Sequence, residues 1–189
     1  RSPPVCKYGS GCYRRNPDHL RRYVHPSRSG VGLHLTRVVG GVDGVELRDV
    51  FAGGEEHIWF FNYMIDADWL FDQLPEPIEG PGLTLVHHRG SLRVSGRNRA
   101  RYTSVEVDTG IPYGTHHSKM IVVRYEAFVR LVILTANFIP VDWEKKTQML
   151  WQSELLPVVG SFKDSATNFG SDLIDYVKTY RRLGDLEKL

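Results

Sequence analysis

The chain has 189 residues, of which 41% are hydrophobic and 24% charged, and this ordinary globular composition excludes wholesale disorder, collagen and low-complexity polymers. No apolar run approaches the ~18 residues that a membrane-spanning helix needs. The formal net charge of +2 permits nucleic acid as a partner without requiring it. The length predicts one domain, or one domain with a small appendage.

The first 28 residues are rich in Arg, Tyr, Pro and Gly and nearly lack aliphatic side chains. Such a segment cannot bury enough apolar surface to fold alone, so it needs a crosslink. It holds both cysteines of the chain, Cys6 and Cys12, followed by His19 and His25. Thiolates and imidazoles are the ligands that structural zinc prefers. We therefore expect a zinc site, with a disulfide and two surface histidines as the alternative.

The spacing of these four candidate ligands, with five, six and five residues between them, differs from that of the DNA-reading finger. The segment resembles the poly(ADP-ribose)-binding zinc finger, including positions between the ligands. The resemblance implies that zinc is held by the four ligands and that ADP-ribose units bind to Tyr8, Tyr13 and Arg14. An adenine can stack on a tyrosine ring, and an arginine can pair with a pyrophosphate. A finger that folds but binds no ligand is the alternative.

The rest of the chain, residues 29–189, has the pattern of an α/β domain with a mixed sheet flanked by helices. Short β-branched and apolar runs predict strands at 57–64, 83–88, 104–107, 119–123 and 130–135, the last two covered on both faces. Helices are predicted at 66–74, with Asp66 as the cap, and at 171–182. In the second helix an apolar stripe indicates a core face, formed by Leu173, Tyr176, Val177 and Tyr180. The basic stretch 89–101 is predicted to be a loop.

The pair His117 and Lys119 is the candidate for chemistry. Extended backbone alternates its faces, so both side chains point the same way. A histidine can attack phosphorus, and a lysine can neutralise the charge that develops on the phosphate oxygens. A single His-x-Lys also occurs by chance. Asn137 follows the next predicted strand, and a hairpin would bring it back towards Lys119. We expect His116 to be structural.

Several separated motifs share their order and spacing with a known family. They lie at residues 35–38, 61–63, 66–70, 85–87, 114–120, 135–139, 142–143 and 146–148. Together they resemble the N-terminal half of tyrosyl-DNA phosphodiesterase, the 3′-acting enzyme of the phospholipase D superfamily. The resemblance runs from about residue 34 to about residue 182. It implies a phospholipase D-like half domain after the finger.

The resemblance implies a role for each matching residue. His117 is the nucleophile that forms a phosphohistidine intermediate, while Lys119 and Asn137 hold the phosphate oxygens. Gln148 hydrogen-bonds to a catalytic histidine, and Tyr113 stacks on a DNA base. No catalytic metal is expected. The implied activity is hydrolysis of 3′-phosphotyrosyl and related adducts at single-stranded or nicked DNA 3′ ends.

The family mechanism needs a second histidine to protonate the leaving group and then activate water. Each histidine comes from its own His-x-Lys motif, and this sequence has one. We expect a fragment of a longer enzyme, which the start at Arg1 also suits. Two copies that pair, or a separate partner chain, are the alternatives. The expected function is nuclear DNA repair recruited by poly(ADP-ribose), with no membrane; a catalytically incomplete module that binds poly(ADP-ribose) and DNA ends is the alternative.

Overall fold

The structure is a computed structural model that describes Pro4 and residues 6–8, 17–23, 30–37, 44–74, 82–158 and 167–180, together with Leu183 and Leu186. The predictions made for Cys12, Tyr13, Arg14 and His25 lie outside the described residues. None of the helices in this part of the chain combines the length and apolar character that a bilayer span requires.

The described elements are strands and short helices. The strands are β1 (Gly32–Leu35), β2 (His57–Asn62), β3 (Ile65–Asp66), β4 (Gly82–His88), β5 (Leu92–Arg93), β6 (Thr103–Val107), β7 (Met120–Arg124), β8 (Phe128–Leu134), β9 (Met149–Gln152) and β10 (Leu156–Pro157). The helices are α1 (Pro17–Arg22), α2 (Ala67–Gln73), α3 (Pro140–Glu144) and α4 (Phe169–Lys178). Two 3₁₀ turns span Leu47–Val50 and Gly96–Asn98.

A mixed sheet organises the domain, with the strand order β1-β9-β8-β7-β2-β4-β6 and β10 paired with β8. Strands β2, β4 and β6 run parallel to one another, whereas β7, β8, β9 and β1 are joined by antiparallel pairs. The carboxyl ends of β1, β2, β4, β6 and β8 therefore meet the amino ends of β7 and β9 at one edge. We call this edge the upper edge. The motifs that carry His117 and Asn137 lie here, directly before β7 and directly after β8.

The two faces of the sheet carry separate apolar cores. Strand β2 alternates between them, since Ile58 and Phe60 belong to one core, while Trp59 and Phe61 belong to the other. All four side chains are fully buried, as expected for a central strand covered on both sides. Helix α2 contributes to the first core and α4 to the second. We call the two sides the α2 face and the α4 face.

Part of the α4 face is uncovered. Ile133 lies opposite Met120, and Trp151 lies opposite both Ile133 and Leu33. Directly paired residues point to the same face of a sheet, so these side chains continue the face on which Met120 is buried. Ile133 is 48% exposed, Trp151 38% and Leu33 67%. The prediction that β8 is covered on both faces is thus wrong at Ile133, which lies outside the buried cluster that Leu131 of the same strand joins.

The predicted strands are confirmed with ends that shift by one or two residues. Asp66 caps α2, since its Oδ1 accepts the backbone N–H of Trp69 at 3.1 Å. The second helix starts at Phe169 and ends at Lys178, earlier than predicted. Its stripe is only partly core, because Tyr176 is 38% exposed. The predicted loop 89–101 also holds β5 and a 3₁₀ turn.

Candidate active site

His117 and Lys119 lie at the upper edge, directly before β7. Their side chains point the same way, and Nζ of Lys119 is 3.2 Å from both ring nitrogens of His117. His117 is exposed, while Lys119 is half-buried. Burial lowers the pKa of Lys119, and the nearby Asp142 carboxylate opposes this effect without cancelling it. An accessible imidazole beside a cation can receive a phosphate group.

Asn137 lies at the same edge, just after β8, and is held from several directions. Its backbone N–H and its side-chain Nδ2 both donate to Oδ2 of Asp142 at 2.9 Å. The indole Nε1 of Trp143 donates to the Asn137 carbonyl oxygen, also at 2.9 Å. Within the described residues, the buried Oδ1 of Asn137 has no hydrogen-bond partner. The second Nδ2 hydrogen remains available to a phosphate oxygen.

Asp142 is the anchor of this arrangement, and it is 4% exposed. Its Oδ1 accepts from Nζ of Lys146 at 2.9 Å. Burial raises the pKa of Asp142, but the hydrogen bonds from Lys146 and from Asn137 outweigh burial and place that pKa below its ordinary value. The carboxylate is therefore ionised at neutral pH and fixes the Asn137 amide in one orientation.

Replacing Asp142 with asparagine is expected to lower the free energy of unfolding by about 1.5–3 kcal/mol at pH 7, because charge-assisted hydrogen bonds are lost. Since the folded-state pKa is lowered, this stabilisation is complete above the ordinary pKa of ~4 and disappears as the pH falls through the folded-state value. Urea unfolding of both proteins between pH 7 and pH 3 measures the difference.

The matched control for this prediction is Asp175→Asn. Asp175 forms an exposed ion pair with Lys178 at 3.6 Å, and exposed pairs of this kind contribute roughly 0–1 kcal/mol. We expect little change in this variant at any pH. A difference between wild type and Asp142→Asn that stays constant down to pH 3 would contradict the assigned ionisation of Asp142.

Tyr63 extends the site on the other side of His117. It follows β2, and its ring centroid lies 5.4 Å from that of His117 and 5.3 Å from that of His88. The His88 ring is stacked on Tyr63. These contacts give the His117 imidazole an aromatic wall.

Gln148 and Tyr113 lie near this edge but differ in their environments. The Oε1 of Gln148 accepts from Oγ1 of Thr135 at 2.6 Å, so its described side-chain contact is with Thr135 and not with a histidine. Tyr113 precedes the His117 segment, and its side chain is fully exposed. Its φ of 62° makes it the one non-glycine residue with positive φ in the described ranges. A bulky residue there stores backbone strain.

His116 is buried on the opposite side of the same segment. Its Nδ1 lies 3.1 Å from the carbonyl oxygen of Asn62, and its Nε2 lies 3.0 Å from the hydroxyl of Tyr180. A carbonyl only accepts, so Nδ1 carries the proton and Nε2 accepts from Tyr180. Burial lowers the pKa of His116, which keeps the ring neutral. These contacts agree with the predicted structural role.

The described part of the first segment places two of the four predicted zinc ligands together. Sγ of the buried Cys6 is 3.5 Å from Nε2 of His19. Tetrahedral zinc with ordinary Zn–S and Zn–N bonds separates two such ligands by about 3.6 Å. The pair therefore fits a zinc ion. Tyr8, the described member of the predicted ADP-ribose contacts, is 42% exposed.

Three residues of the site are not predicted by the sequence motifs: Tyr63, Asp142 and Tyr180. The sequence could have indicated Asp142, because it follows Asn137 by five residues and begins one of the family motifs. Tyr63 lay inside another motif, directly after a strand. Tyr180 had been interpreted as core, and its hydroxyl contact with His116 spans 64 residues, which no local pattern reveals.

Two known families match the chain. Residues 36–189 match the family described as tyrosyl-DNA phosphodiesterase, and residues 4–28 match the PBZ domain. Tyrosyl-DNA phosphodiesterase 1 of Arabidopsis thaliana is 34% identical over 142 residues, which is 72% of this chain and 23% of that protein. The probable tyrosyl-DNA phosphodiesterase of Caenorhabditis elegans is 30% identical over 132 residues, or 68% and 29%. The chain thus spans about a quarter of the length of these relatives.

Solved structures share the fold. A crystal structure of yeast tyrosyl-DNA phosphodiesterase superposes with a TM-score of 0.69 over 82% of this chain and 39% of that chain. The sequence identity in this superposition is 20%. The mixed sheet and its flanking helices therefore have the fold of the corresponding part of the yeast enzyme.

Proposed function

The chain belongs to the tyrosyl-DNA phosphodiesterase family, and we propose that its upper edge forms one half of a phosphodiesterase active site for blocked DNA 3′ ends. The contact of Lys119 with His117, 3.2 Å from Nζ to both ring nitrogens, carries this proposal. Asn137, oriented by Asp142 on the same edge, supplies a further donor. The three side chains provide a nucleophile and two groups for phosphate oxygens.

In the proposed reaction, a ring nitrogen of His117 attacks the phosphorus of a 3′ phosphodiester. A P–N bond forms, and the P–O bond to the adduct breaks, so that the leaving oxygen keeps the electron pair. Lys119 and Asn137 stabilise the charge on the non-bridging oxygens. Water later hydrolyses the phosphohistidine and leaves a 3′ phosphate. Gln148 is proposed to hydrogen-bond to a catalytic histidine once DNA or a complementary half is bound.

A tyrosine leaving group also needs a proton from a general acid. We propose that a second His-x-Lys motif supplies it, from a complementary half of the enzyme or from a second copy of this chain. Turnover of a 3′-phosphotyrosyl oligonucleotide by this chain alone would favour the second copy. Its absence would favour the complementary half.

The half site can be tested without a general acid by using the p-nitrophenyl ester of thymidine 3′-phosphate. p-Nitrophenolate leaves unprotonated, so the nucleophile alone suffices for the first step. We expect a burst of one p-nitrophenolate per chain without added divalent metal, and a phosphoryl adduct stable in alkali but labile in acid. No burst and no adduct would overturn the proposal and favour a module that only binds poly(ADP-ribose) and DNA ends.

We propose that Tyr113 stacks on a DNA base next to the reacting phosphate. Its ring is fully exposed and lies four residues before His117 in the chain. Replacing Tyr113 with glycine should weaken binding of a 3′-phosphorylated oligonucleotide by about 1–3 kcal/mol, the value of one base–aromatic contact. The same change removes positive-φ strain, so unfolding should cost the same or more free energy. Fluorescence anisotropy and urea unfolding measure the two effects.

The control for this prediction is Ile111→Gly, which removes another exposed apolar side chain from the same loop. We expect it to retain most of the oligonucleotide affinity, because an aliphatic side chain offers no stacking face. Equal losses in both variants would show that the loop contributes general apolar contact rather than a stacked ring.

We further propose that residues 1–28 form a zinc finger that binds poly(ADP-ribose), joined to a phosphodiesterase domain of residues 29–189. The proximity of Cys6 and His19 supports zinc, with Cys12 and His25 as the remaining ligands. Tyr8, Tyr13 and Arg14 would contact ADP-ribose. Zinc would supply the folding energy that this segment cannot obtain from a core. A finger of this kind would recruit the enzyme to breaks in nuclear DNA.

A further inference from the structure

We propose that Tyr176 of α4 and Tyr180, two residues beyond the end of that helix, are positioning residues that hold the His117–Lys119 pair in place through the back face of its segment. This inference rests on the proposed role of His117 and Lys119. It extends the site to α4 and the residues directly after it, to which the proposed reaction assigns no step.

The back face is defined by the alternation of the extended segment before β7. Met120 packs in the core of the α4 face, so Ser118 and His116 point to that face as well, while His117 and Lys119 point away from it. The observed contacts agree with this alternation. His116 bonds to Tyr180, and Ser118 bonds to Tyr176. Each residue that flanks the nucleophile is therefore fixed by a tyrosine in or directly after α4.

The four side chains form a continuous chain of hydrogen bonds. The hydroxyl of Tyr176 contacts Oγ of Ser118 and lies 2.5 Å from the hydroxyl of Tyr180. The Tyr180 hydroxyl lies 3.0 Å from Nε2 of His116. Burial raises the pKa of Tyr180, so its hydroxyl keeps the proton that it donates to the neutral His116. The network ends at the Asn62 carbonyl, where β2 ends.

Side-chain anchors matter here because the segment before Lys119 lies outside the strand ladder. The β7 strand begins at Met120, and the N–H of His116 donates to the His88 ring at 3.3 Å. The other described hydrogen bonds that hold the segment to the rest of the fold are those of the tyrosine network and the one that the Lys119 carbonyl accepts from the N–H of Leu134 at 3.1 Å. A displacement of ~1 Å in a reacting group can cost about 100-fold in rate.

The test compares the rate constant of the p-nitrophenolate burst in Tyr176→Phe, Tyr180→Phe and the double variant. Phenylalanine keeps the ring packing, including the contact of Tyr180 with Phe61 at 5.2 Å, and removes only the hydroxyls. We expect the double variant to lower the rate constant by at least about tenfold, with the burst amplitude of one unchanged. Ground-state affinity for the thymidine ester should change less than about twofold.

Tyr125→Phe is the matched control. Tyr125 is buried just beyond the other end of β7, where its hydroxyl contacts Glu55 and accepts from the N–H of Ala52, both at 3.4 Å. This variant also loses a buried tyrosine hydroxyl, so it reports the general cost to stability. We expect its burst rate constant to stay within about twofold of wild type even where its Tm falls. A wild-type rate in the double variant, or an equal loss in Tyr125→Phe, would overturn the proposal.

A second measurement separates this inference from the proposed function. If the wild-type chain gives no burst, amide hydrogen exchange of residues 116–119 decides the question. The double variant should exchange at least about tenfold faster there than wild type, while Tyr125→Phe should not. Unchanged exchange in the double variant would refute the positioning role whatever the activity.

Discussion

Replacing His117 with alanine is expected to abolish the p-nitrophenolate burst and the acid-labile phosphoryl adduct, with a loss of at least about a thousandfold. The reason is that no other described side chain at the upper edge combines exposure, a nucleophilic nitrogen and a cation 3.2 Å away. His116 cannot substitute, because its Nδ1 donates to a backbone carbonyl and its Nε2 accepts from Tyr180. Rapid-quench kinetics with labelled ester measures both products.

The control is His57→Gln, at the opposite end of β2. His57 stacks on Trp59 and contacts Oγ1 of Thr84 at 2.9 Å, and glutamine can keep a hydrogen bond to that hydroxyl. This variant should retain the burst. An adduct that persists in His117→Ala would show that another residue is the nucleophile, and mapping the labelled peptide would identify it.

Removing zinc is expected to abolish binding of poly(ADP-ribose) while leaving the burst intact. Structural zinc in finger peptides contributes roughly 10–16 kcal/mol of apparent folding free energy at neutral pH, so a metal-free first segment should lose more than about 100-fold in polymer affinity. Cys6→Ser should act like chelation, because it removes a proposed ligand that is buried. Polymer binding is measured by filter retention, and bound metal by mass spectrometry.

Arg14→Ala separates metal binding from polymer binding. It should retain zinc yet bind the polymer about 10- to 100-fold more weakly, because a charge-assisted contact is lost. Arg48→Ala removes the same charge from an exposed residue outside the finger and should bind normally. Loss of the burst together with polymer binding in Arg14→Ala would contradict the division into two independent modules.

The sequence predicted the sheet well because its central strands are short apolar runs with clear polar ends. Strand β7 and the parallel strand β4 needed nothing beyond composition and length. The predicted hairpin of β7 and β8 follows from their adjacency, and it explains why Asn137 reaches the same edge as Lys119. By contrast, the exposure of Ile133 depends on how far the core of the α4 face extends along β8, which composition alone does not show.

Only the side chains of the candidate site that would contact a phosphate were predictable from the sequence. His117, Lys119 and Asn137 are residue types whose chemistry can be read from a motif. The side chains that hold them are less visible, since Asp142 acts by accepting two hydrogen bonds from one residue. Tyr176 and Tyr180 had the spacing of a core stripe, and their hydroxyl contacts arise only when α4 packs beside the segment before β7.

The uncovered part of the α4 face gives the protein a spectroscopic probe of its own. The chain has four tryptophans. Trp59 and Trp143 are buried and Trp69 is half-buried, whereas Trp151 is 38% exposed beside Ile133 and Leu33. Solvent contact shifts indole emission to longer wavelengths, so we expect Trp151, the most exposed of the four, to contribute most to the red side of the spectrum. A molecule that covers Leu33, Ile133 and Trp151 should move the emission of Trp151 to shorter wavelengths and shield it from a soluble quencher. Binding of a molecule to this part of the α4 face can thus be followed by intrinsic tryptophan fluorescence, without a label.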